Sequence, residues 1–177
     1  MRLVIASTWD GLPVEDASLV EFAREGEGGD LVVRVEGPYA GDAAPAGPPG
    51  RTDRLWEHEV VELFLAEEAS RDARYLELEL GPHGHWLALG FDGYRRRVCE
   101  DLALDFAARI DGERWSGIAR VTGAEVARVV RRIGAVNAYA IRARRFLAAH
   151  PVASGLHAGP DFHRLEHFAP FRAPMGP

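Results

Sequence analysis

The sequence predicts an all-β protein, an antiparallel β-sandwich with one accessory α-helix. Short runs rich in β-branched, aromatic and leucine residues recur along the chain, and turn-forming Gly, Pro and Asp residues separate them. Only one stretch has the period of an amphipathic helix. A chain of 177 residues with 47% hydrophobic content is long enough to form a substantial core. We therefore expect a single domain that spans residues 1–177.

The expected strands follow from the spacing of these runs. Asp92-Gly93 and Asp111-Gly112 each separate two adjacent runs, and Gly adopts the positive φ that a hairpin turn requires. Strands are predicted at residues 3–9, 19–22, 31–36, 59–65, 75–80, 85–91, 94–98, 104–110, 115–121 and 136–142.

The helix is predicted to begin after Thr122, because Thr122 and Glu125 have the spacing of a capping box. An apolar stripe follows at helical spacing, the arginines between its members face water, and Gly134 is expected to end the helix. We expect this helix to pack across an edge of the sandwich. The stripe consists of Val126, Val129, Val130 and Ile133.

Two segments lack a regular pattern. Residues 37–50 are rich in Gly, Pro and Ala, which predicts a surface loop. Residues 151–177 are also irregular, but their apolar side chains indicate a tail that is bound to the body of the domain. These side chains are Leu156, Phe162, Leu165, Phe168 and Phe171.

Charge and cysteine content disfavour several functions. A formal net charge of -6 and a pI near 5.6 argue against a nucleic-acid partner. Cys99 is the only cysteine, so neither an intrachain disulfide nor a cysteine-based zinc cluster can form. The first apolar run is too short for a signal peptide, and no stretch approaches the roughly 20 apolar residues of a membrane span. The sequence thus predicts a cytoplasmic protein without a membrane or nucleic-acid partner, and it leaves the oligomeric state open.

One predicted hairpin, formed by the strands at 75–80 and 85–91, has two different faces. Leucines alternate strictly with polar residues on the first strand, so the leucines enter the core while Glu77 and Glu79 point the other way. A four-residue loop between the strands sets a register in which Glu79 faces Trp86. The acids and the indole ring are therefore expected to share the outer face.

The same alternation places Glu62, on the preceding strand, beside Glu77 and Glu79. Sugar hydroxyls bind to charged groups that surround a planar apolar surface, so this wall predicts a site for a carbohydrate or a similar polyol. The acids would accept hydroxyl hydrogen bonds, the indoles would stack, and a histidine and an arginine would complete the rim. The candidate residues are Trp56, Glu62, Glu77, Glu79, His83, Trp86 and Arg142.

Other interpretations of this face stay open. Paired glutamates also suit a small hydrolase or lyase-type enzyme, with or without a metal bound by histidine. The metal is disfavoured because His83 lies in the turn and His85 on the leucine face, so we predict no metal and no cofactor. A third interpretation is a structural or partner-binding domain whose outer sheet face is simply hydrated.

The segment 160–168 contains an Asp, two His and a Glu, but no Ser or Cys nucleophile with a local signature lies near it. We interpret the segment as a docking clamp. Phe162 and Phe168 are expected to be buried, while Asp161 and His163 bond turn backbone groups.

The chain contains three extended motifs: Leu-Trp-x-x-Glu-Val-Val-Glu at 55–62, Tyr-Leu-Glu-x-Glu-Leu-x-Pro-His-Gly at 75–84 and Pro-Asp-Phe-His-x-Leu-Glu-x-Phe at 160–168. Over nearly the whole chain the sequence resembles an uncharacterised protein family related to family 9 carbohydrate-binding modules and DOMON-type domains.

The resemblance implies a jelly-roll β-sandwich. In the sugar-binding relatives a saccharide lies between two tryptophans, while acidic, amide and arginine side chains hold its hydroxyls. Trp56 and Glu62 match the spacing of one ring and one acid of such a site. The second tryptophan is absent, since the region 136–146 offers only Tyr139 and Phe146. The calcium loop that such modules carry also has no clear counterpart.

Overall fold

The computed structural model describes residues 1–172. Over this range the chain forms β-strands joined by tight turns, with one α-helix and two 3₁₀ turns at Leu55–Glu57 and Leu165–His167. The strands are β1 (Arg2–Thr8), β2 (Pro13–Glu25), β3 (Asp30–Pro38), β4 (Val60–Ala66), β5 (Arg74–Leu80), β6 (Trp86–Asp92), β7 (Arg97–Cys99), β8 (Asp105–Asp111), β9 (Arg114–Val121), β10 (Ala135–Arg142), β11 (Arg145–Ala148) and β12 (Ala169–Pro170), and the helix is α1 (Gly123–Val129).

The strands pair in one continuous antiparallel sheet that curls over on itself. Its order is β7-β6-β5-β4-β10-β11-β1-β2-β3-β9-β8, and β12 pairs with β10. Buried side chains of β1, β2, β3 and β9 pack in one cluster with those of β4, β5, β6 and β10. The two halves of the sheet thus form the two layers of a sandwich, which confirms the predicted all-β fold class.

Each predicted run overlaps one of the strands β1 to β10, but β2 is longer than expected. Strand β7 begins at Arg97, because residues 93–96 form a turn whose last three residues were predicted to be part of this strand. The predicted turn residues Gly93 and Gly112 have positive φ, 82° and 60°. Strands β11 and β12 were not predicted, and β11 follows β10 through Ala143 and Arg144. These two residues have φ of 48° and 59°, and the ladder resumes directly after them. A tight turn forms here without the Gly, Asn or Asp that normally indicates one.

The helix begins as predicted and ends earlier. Thr122 Oγ1 accepts the Glu125 N–H (3.2 Å), but the helix stops at Val129. Gly134 was expected to end it and instead allows a close backbone approach, because a Cβ there would lie 2.2 Å from the Glu67 carbonyl oxygen. No helix among residues 1–172 combines the length and apolarity needed to cross a bilayer.

A second apolar cluster covers the outer face of β4, β5, β6 and β10. The C-terminal segment contributes Phe162, Leu165 and Phe168 to it, and all three are buried as predicted. Of the other tail residues, Phe171 stacks on Phe22 with ring centroids 5.9 Å apart, whereas Leu156 is exposed. Residues 173–177 lie outside the described range. The tail is therefore bound to the body, and it covers the very face that carries the acids.

Candidate functional site

The hairpin of β5 and β6 has a register one residue away from the predicted one. Leu80, not Glu79, pairs with Trp86. The Gly81 N–H donates to the His85 carbonyl (2.9 Å), so the connection contains an odd number of residues. Compared with the predicted four-residue loop, an odd count places every side chain of the returning strand on the opposite face. The predicted register is therefore wrong, and Trp86 packs against the main core instead of facing the acids.

The three acids do lie on the outer face, but that face is not hydrated. Glu62 belongs to β4, and Glu77 and Glu79 belong to β5. Their exposed fractions are 3%, 3% and 0%. A buried carboxyl group is costly unless it is neutral or has partners. This burial is the feature that separates the site from an ordinary polar sheet surface.

A cavity of about 230 Å³ lies between the outer face of the sheet and the segment 160–163. We call it the acid cavity because Glu62 and Glu77 line it. Two arginines, Arg95 and Arg97, also contribute to its wall, and so do Asp161 and His163. The apolar part of the lining comes from Trp56, Leu89, Phe91, Ile141, Phe146, Pro160 and Phe162.

The His163 imidazole is fixed by a chain of hydrogen bonds. The Tyr75 hydroxyl oxygen accepts the backbone N–H of Arg95 (3.2 Å) and lies 2.7 Å from His163 Nδ1. The hydroxyl and Nδ1 share one hydrogen bond, whose direction follows the tautomer of the neutral ring. Nε2 lies 4.0 Å from Glu77 Oε2. Burial, followed by the charge of Arg95, lowers the pKa of His163 to about 3, so the ring stays neutral at physiological pH.

Asp161 ties the C-terminal segment to the turn before β7. Its Oδ1 accepts the Arg95 guanidinium (2.9 Å) and its Oδ2 accepts the Tyr94 hydroxyl (2.6 Å). Although burial opposes ionisation, these hydrogen bonds hold the pKa of Asp161 below its ordinary value. The backbone N–H of His163 also donates to Oδ1 (3.1 Å). The docking clamp was expected to bond to turn backbone groups. Its hydrogen bonds instead go mainly to side chains.

The buried acids titrate far from their ordinary range. Burial raises the pKa of Glu62 well above normal, and the charge of Glu77 raises it further. Burial also raises the pKa of Glu77 to about 8, against the opposing charges of Arg95 and Arg97. The pKa of Glu79 is raised by burial and then by the charges of Glu77 and Glu62. The site consequently holds protonated carboxyl groups at neutral pH.

The structure separates the predicted site residues into three groups. Trp56, Glu62 and Glu77 line the acid cavity. Glu79 is buried beside its fellow acids without lining the cavity. His83, Trp86 and Arg142 lie elsewhere.

The polar members of the third group bond to the loop after β3 and to β2. His83 Nε2 lies 3.3 Å from both the Tyr39 hydroxyl and the Asp42 carbonyl. Arg142 Nη2 donates to the Asp16 carbonyl (2.9 Å). Among residues 1–172 no group of three or more His, Cys, Asp or Glu side chains is arranged to hold a metal ion.

Sequence reasoning did not assign Arg95, Asp161, His163 or Phe146 to the site. The signal for two of them was present, because the motif at 160–168 places an Asp and a His on either side of Phe162. Phe146 lies on the strand that was missed. The position of Arg95 depends on its own left-handed backbone (φ 53°), which no sequence pattern indicated.

The arrangement suits recognition of hydroxyl groups. Glu62 Oε1 and Glu77 Oε2 are buried, and neither has a hydrogen-bond partner among the described residues. Protonated carboxyls both donate and accept hydrogen bonds, as a hydroxyl group does. Adjacent aromatic and aliphatic side chains offer apolar contact for a ring. Two neighbouring carboxyls with raised pKa values also have the composition of an acid–base pair.

Comparison with known proteins identifies the family. No family model matches the chain. The UPF0462 protein C4orf33 homolog of Danio rerio is 36% identical over 180 residues, which cover 97% of this chain and 88% of that protein. The chain belongs to the UPF0462 family. The homolog of Mus musculus is 35% identical over 177 residues, covering 97% of this chain and 91% of its own length. The expected membership of an uncharacterised family is confirmed.

Two solved structures resemble the fold of this family member. A putative carbohydrate-binding protein from Bacteroides uniformis superposes with a TM-score of 0.71 at 17% identity, over 96% of this chain and 84% of its own. A family 9 carbohydrate-binding module from Caldicellulosiruptor kristjanssonii, in complex with cellotriose, has a TM-score of 0.53 at 10% identity, over 84% and 70%. At these identities the likeness is one of fold, and it confirms the expected carbohydrate-binding-module-like sandwich. The relation to DOMON-type domains stays a prediction.

Proposed function

We propose that the acid cavity binds a small carbohydrate or a similar polyol. The observation that carries this proposal is the pair Glu62 and Glu77, which are buried together at a cavity and each have an unbonded carboxyl oxygen. Buried polar atoms are normally hydrogen-bonded, so unpaired ones beside a cavity indicate that a ligand supplies the partner. Ligand hydroxyls match this need, since they donate to and accept from a protonated carboxyl.

The apolar lining favours a ring over a flexible chain. The Trp56 indole is half-buried and lines the cavity together with Phe146. The C–H face of a sugar ring packs well against such aromatic surfaces. At about 230 Å³ the cavity is smaller than the roughly 300–1,000 Å³ of sites for drug-sized ligands. A single sugar ring, or the end of a chain, is the ligand size that we propose.

The fold supports the same proposal. The Bacteroides uniformis neighbour is named a putative carbohydrate-binding protein, and the family 9 module was solved with cellotriose. Fold alone does not determine a ligand. The support therefore comes from the coincidence of this fold with the buried acids and the rings around the acid cavity.

Tryptophan fluorescence tests the proposal and its location. The protein has four tryptophans, of which Trp56 lines the acid cavity and Trp86 lies on the opposite side of the sheet. Titration with monosaccharides and cello-oligosaccharides is expected to give a saturable change in emission. Trp56→Phe should abolish this change, whereas the matched variant Trp86→Phe should retain it.

Calorimetric titration of charge variants provides the second measurement. Glu62→Gln and Glu77→Gln keep the side-chain size but remove a group that exchanges its proton, and each should weaken binding by about 10-fold or more, the effect of one buried hydrogen bond. Glu21→Gln, an exposed change on β2, is the control. Saturable binding that the double variant Glu62→Gln/Glu77→Gln leaves unchanged would place the ligand outside the acid cavity.

A purely structural domain would have its acids bonded to surface arginines. Among residues 1–172 neither Glu77 nor Glu79 forms an arginine salt bridge within 4.0 Å, and Glu77 has only the neutral imidazole of His163 at that distance. A binding function accounts better for acids that are buried and unbonded at a cavity than a structural role does.

A further inference from the structure

We propose that Glu62 and Glu77 act as a proton-transfer pair that interconverts the α and β anomers of an aldose bound in the acid cavity. This activity rests on the proposed carbohydrate binding and adds a reaction to it. It makes the protein a catalyst of hemiacetal ring opening rather than a passive binding module.

The two acids have the placement that such a pair needs. Glu62 lies opposite Glu79 in the β4–β5 ladder, and Glu77 lies opposite Phe64, so Glu62 and Glu77 are diagonal neighbours on one face. Diagonal positions in an antiparallel ladder are about 7–8 Å apart, close enough for both carboxyls to reach one small ligand. Both line the acid cavity. They are therefore positioned to act on two atoms of the same sugar ring.

Glu77, which lies beside Arg95 and Arg97 and has a pKa of about 8, is the carboxyl that begins to ionise near neutral pH and acts as the base. Glu62 stays protonated and acts as the acid. Two carboxylates that share a buried site cannot both ionise readily, because each charge opposes the other. Besides burial, the charge of Glu77 raises the pKa of Glu62, which agrees with this expectation. Arg95 and Arg97 stabilise the negative charge that the pair carries once one proton is lost.

His163 and Tyr75 are positioning residues. The Tyr75 hydroxyl holds the imidazole so that its Nε2 faces Glu77 Oε2 at 4.0 Å. A neutral imidazole with a low pKa does not compete with the acids for the exchanging proton. The ring instead lies beside the Glu77 carboxyl in the wall of the acid cavity.

The proposed step is balanced within the site. The ionised carboxylate takes the proton from the anomeric hydroxyl, and the protonated carboxyl gives its proton to the ring oxygen as the bond between the anomeric carbon and the ring oxygen breaks. The product is the open-chain aldehyde. Rotation about the bond between the first and second carbons, followed by the reverse transfers, closes the ring as the other anomer. Both protons return, and no oxidant, reductant or water is consumed.

Cavity size favours this reaction over cleavage of a glycosidic bond. Hydrolysis needs room for sugar on both sides of the bond and for an attacking water. Anomer exchange needs only one ring and two proton-transfer groups. Bifunctional acid–base assistance of this kind contributes roughly 10²–10⁴-fold per group.

The test combines polarimetry with a binding arm that cannot react. Freshly dissolved α-anomers of glucose, galactose and xylose are followed by optical rotation with micromolar protein. Methyl glycosides of the same sugars lack a free anomeric hydroxyl, so their binding, measured by saturation-transfer NMR, reports the site alone. We expect faster anomer exchange for at least one aldose that binds. Glu62→Gln and Glu77→Gln should each lower the protein-dependent rate at least 100-fold, and Glu21→Gln should not change it.

The outcomes separate the two proposals. Binding of a sugar without faster anomer exchange refutes the catalytic pair and leaves the binding function intact. No binding of any aldose or methyl glycoside removes both. Acceleration that persists in the double Gln variant also overturns the assignment of these acids. If the Gln variants fail to fold, the pH profile of the wild-type rate is the test. One ionised and one protonated carboxyl require kcat/KM to fall at both low and high pH, and a profile that lacks either fall overturns the pair.

Discussion

Replacing Glu77 with Gln should stabilise the protein in a pH-dependent way. The folded state raises the pKa of this carboxyl from 4.5 to about 8, so the folded protein holds a proton that the unfolded chain releases above pH 4.5. Folding then loses stability as the pH rises toward about 8, and it recovers this stability below pH 4.5. Gln keeps the shape of the protonated acid but does not titrate. The stability of the variant is therefore not expected to fall in this way as the pH rises from 4.5 to about 8.

The size of the effect follows from the two pKa values. The interval from 4.5 to about 8 is about 3.5 pH units, and each unit is worth about 1.36 kcal/mol, so the full difference approaches 5 kcal/mol. At pH 7 the unfolding free energies of the two proteins should already differ by about 3 kcal/mol from this cause. The amide also forms different hydrogen bonds from the carboxyl group. They change the unfolding free energy of the variant by about 1 kcal/mol at every pH.

Urea unfolding of both proteins at pH 4.5, 6, 7 and 8 measures this difference. His163 also titrates between the states, because its pKa falls from 6.5 to about 3 on folding, and it costs stability as the pH drops below 6.5. This contribution is common to both proteins and cancels in their difference. Parallel stability profiles for wild type and Glu77→Gln would refute the buried-acid reasoning, whereas Glu21→Gln is expected to run parallel to wild type.

Three further results are expected. Gly123→Ala should lower the unfolding free energy by about 1–3 kcal/mol in chemical denaturation, because its Cβ would lie 1.8 Å from the Gly28 carbonyl oxygen. This clash outweighs the better helix propensity of Ala. Gly159→Ala, where the space is open, is the control and should be neutral. Tyr75→Phe should cost about 1–3 kcal/mol by the same assay, since it leaves His163 Nδ1 and the backbone N–H of Arg95 without their hydrogen-bond partner. In an NMR titration the His163 ring should remain neutral at pH 5, and protonation above that pH would contradict its burial.

The strand positions could be predicted because the hydrophobic period is local information. Alternating residues such as Leu76, Leu78 and Leu80 define a strand and its buried face without reference to the rest of the chain. The hairpin register could not be predicted in the same way. It depends on the parity of the loop, and the hydrogen bond between Gly81 and His85 decides it. One residue of difference moved Trp86 across the sheet.

The site was only partly predictable, because its second wall comes from distant sequence. Glu62 and Glu77 were assigned from neighbouring strands. Asp161 and His163, almost 90 residues beyond Tyr75, reach the same face only when the C-terminal segment folds over it. Nothing in the alternation of β5 distinguishes a face that water covers from one that another segment covers. The burial of the acids, and hence their protonation, was for that reason not foreseen.

The two walls of the acid cavity are built differently. The glutamates stand on paired strands, where a substitution disturbs register and core together. The opposing residues 160–163 belong to an irregular stretch whose backbone takes no part in the main ladder. Replacements or insertions in that stretch reshape the opening while every strand pair persists. Under the proposed binding function, a change in residues 160–163 would therefore alter which ligand fits while Glu62 and Glu77 keep their places on the strands.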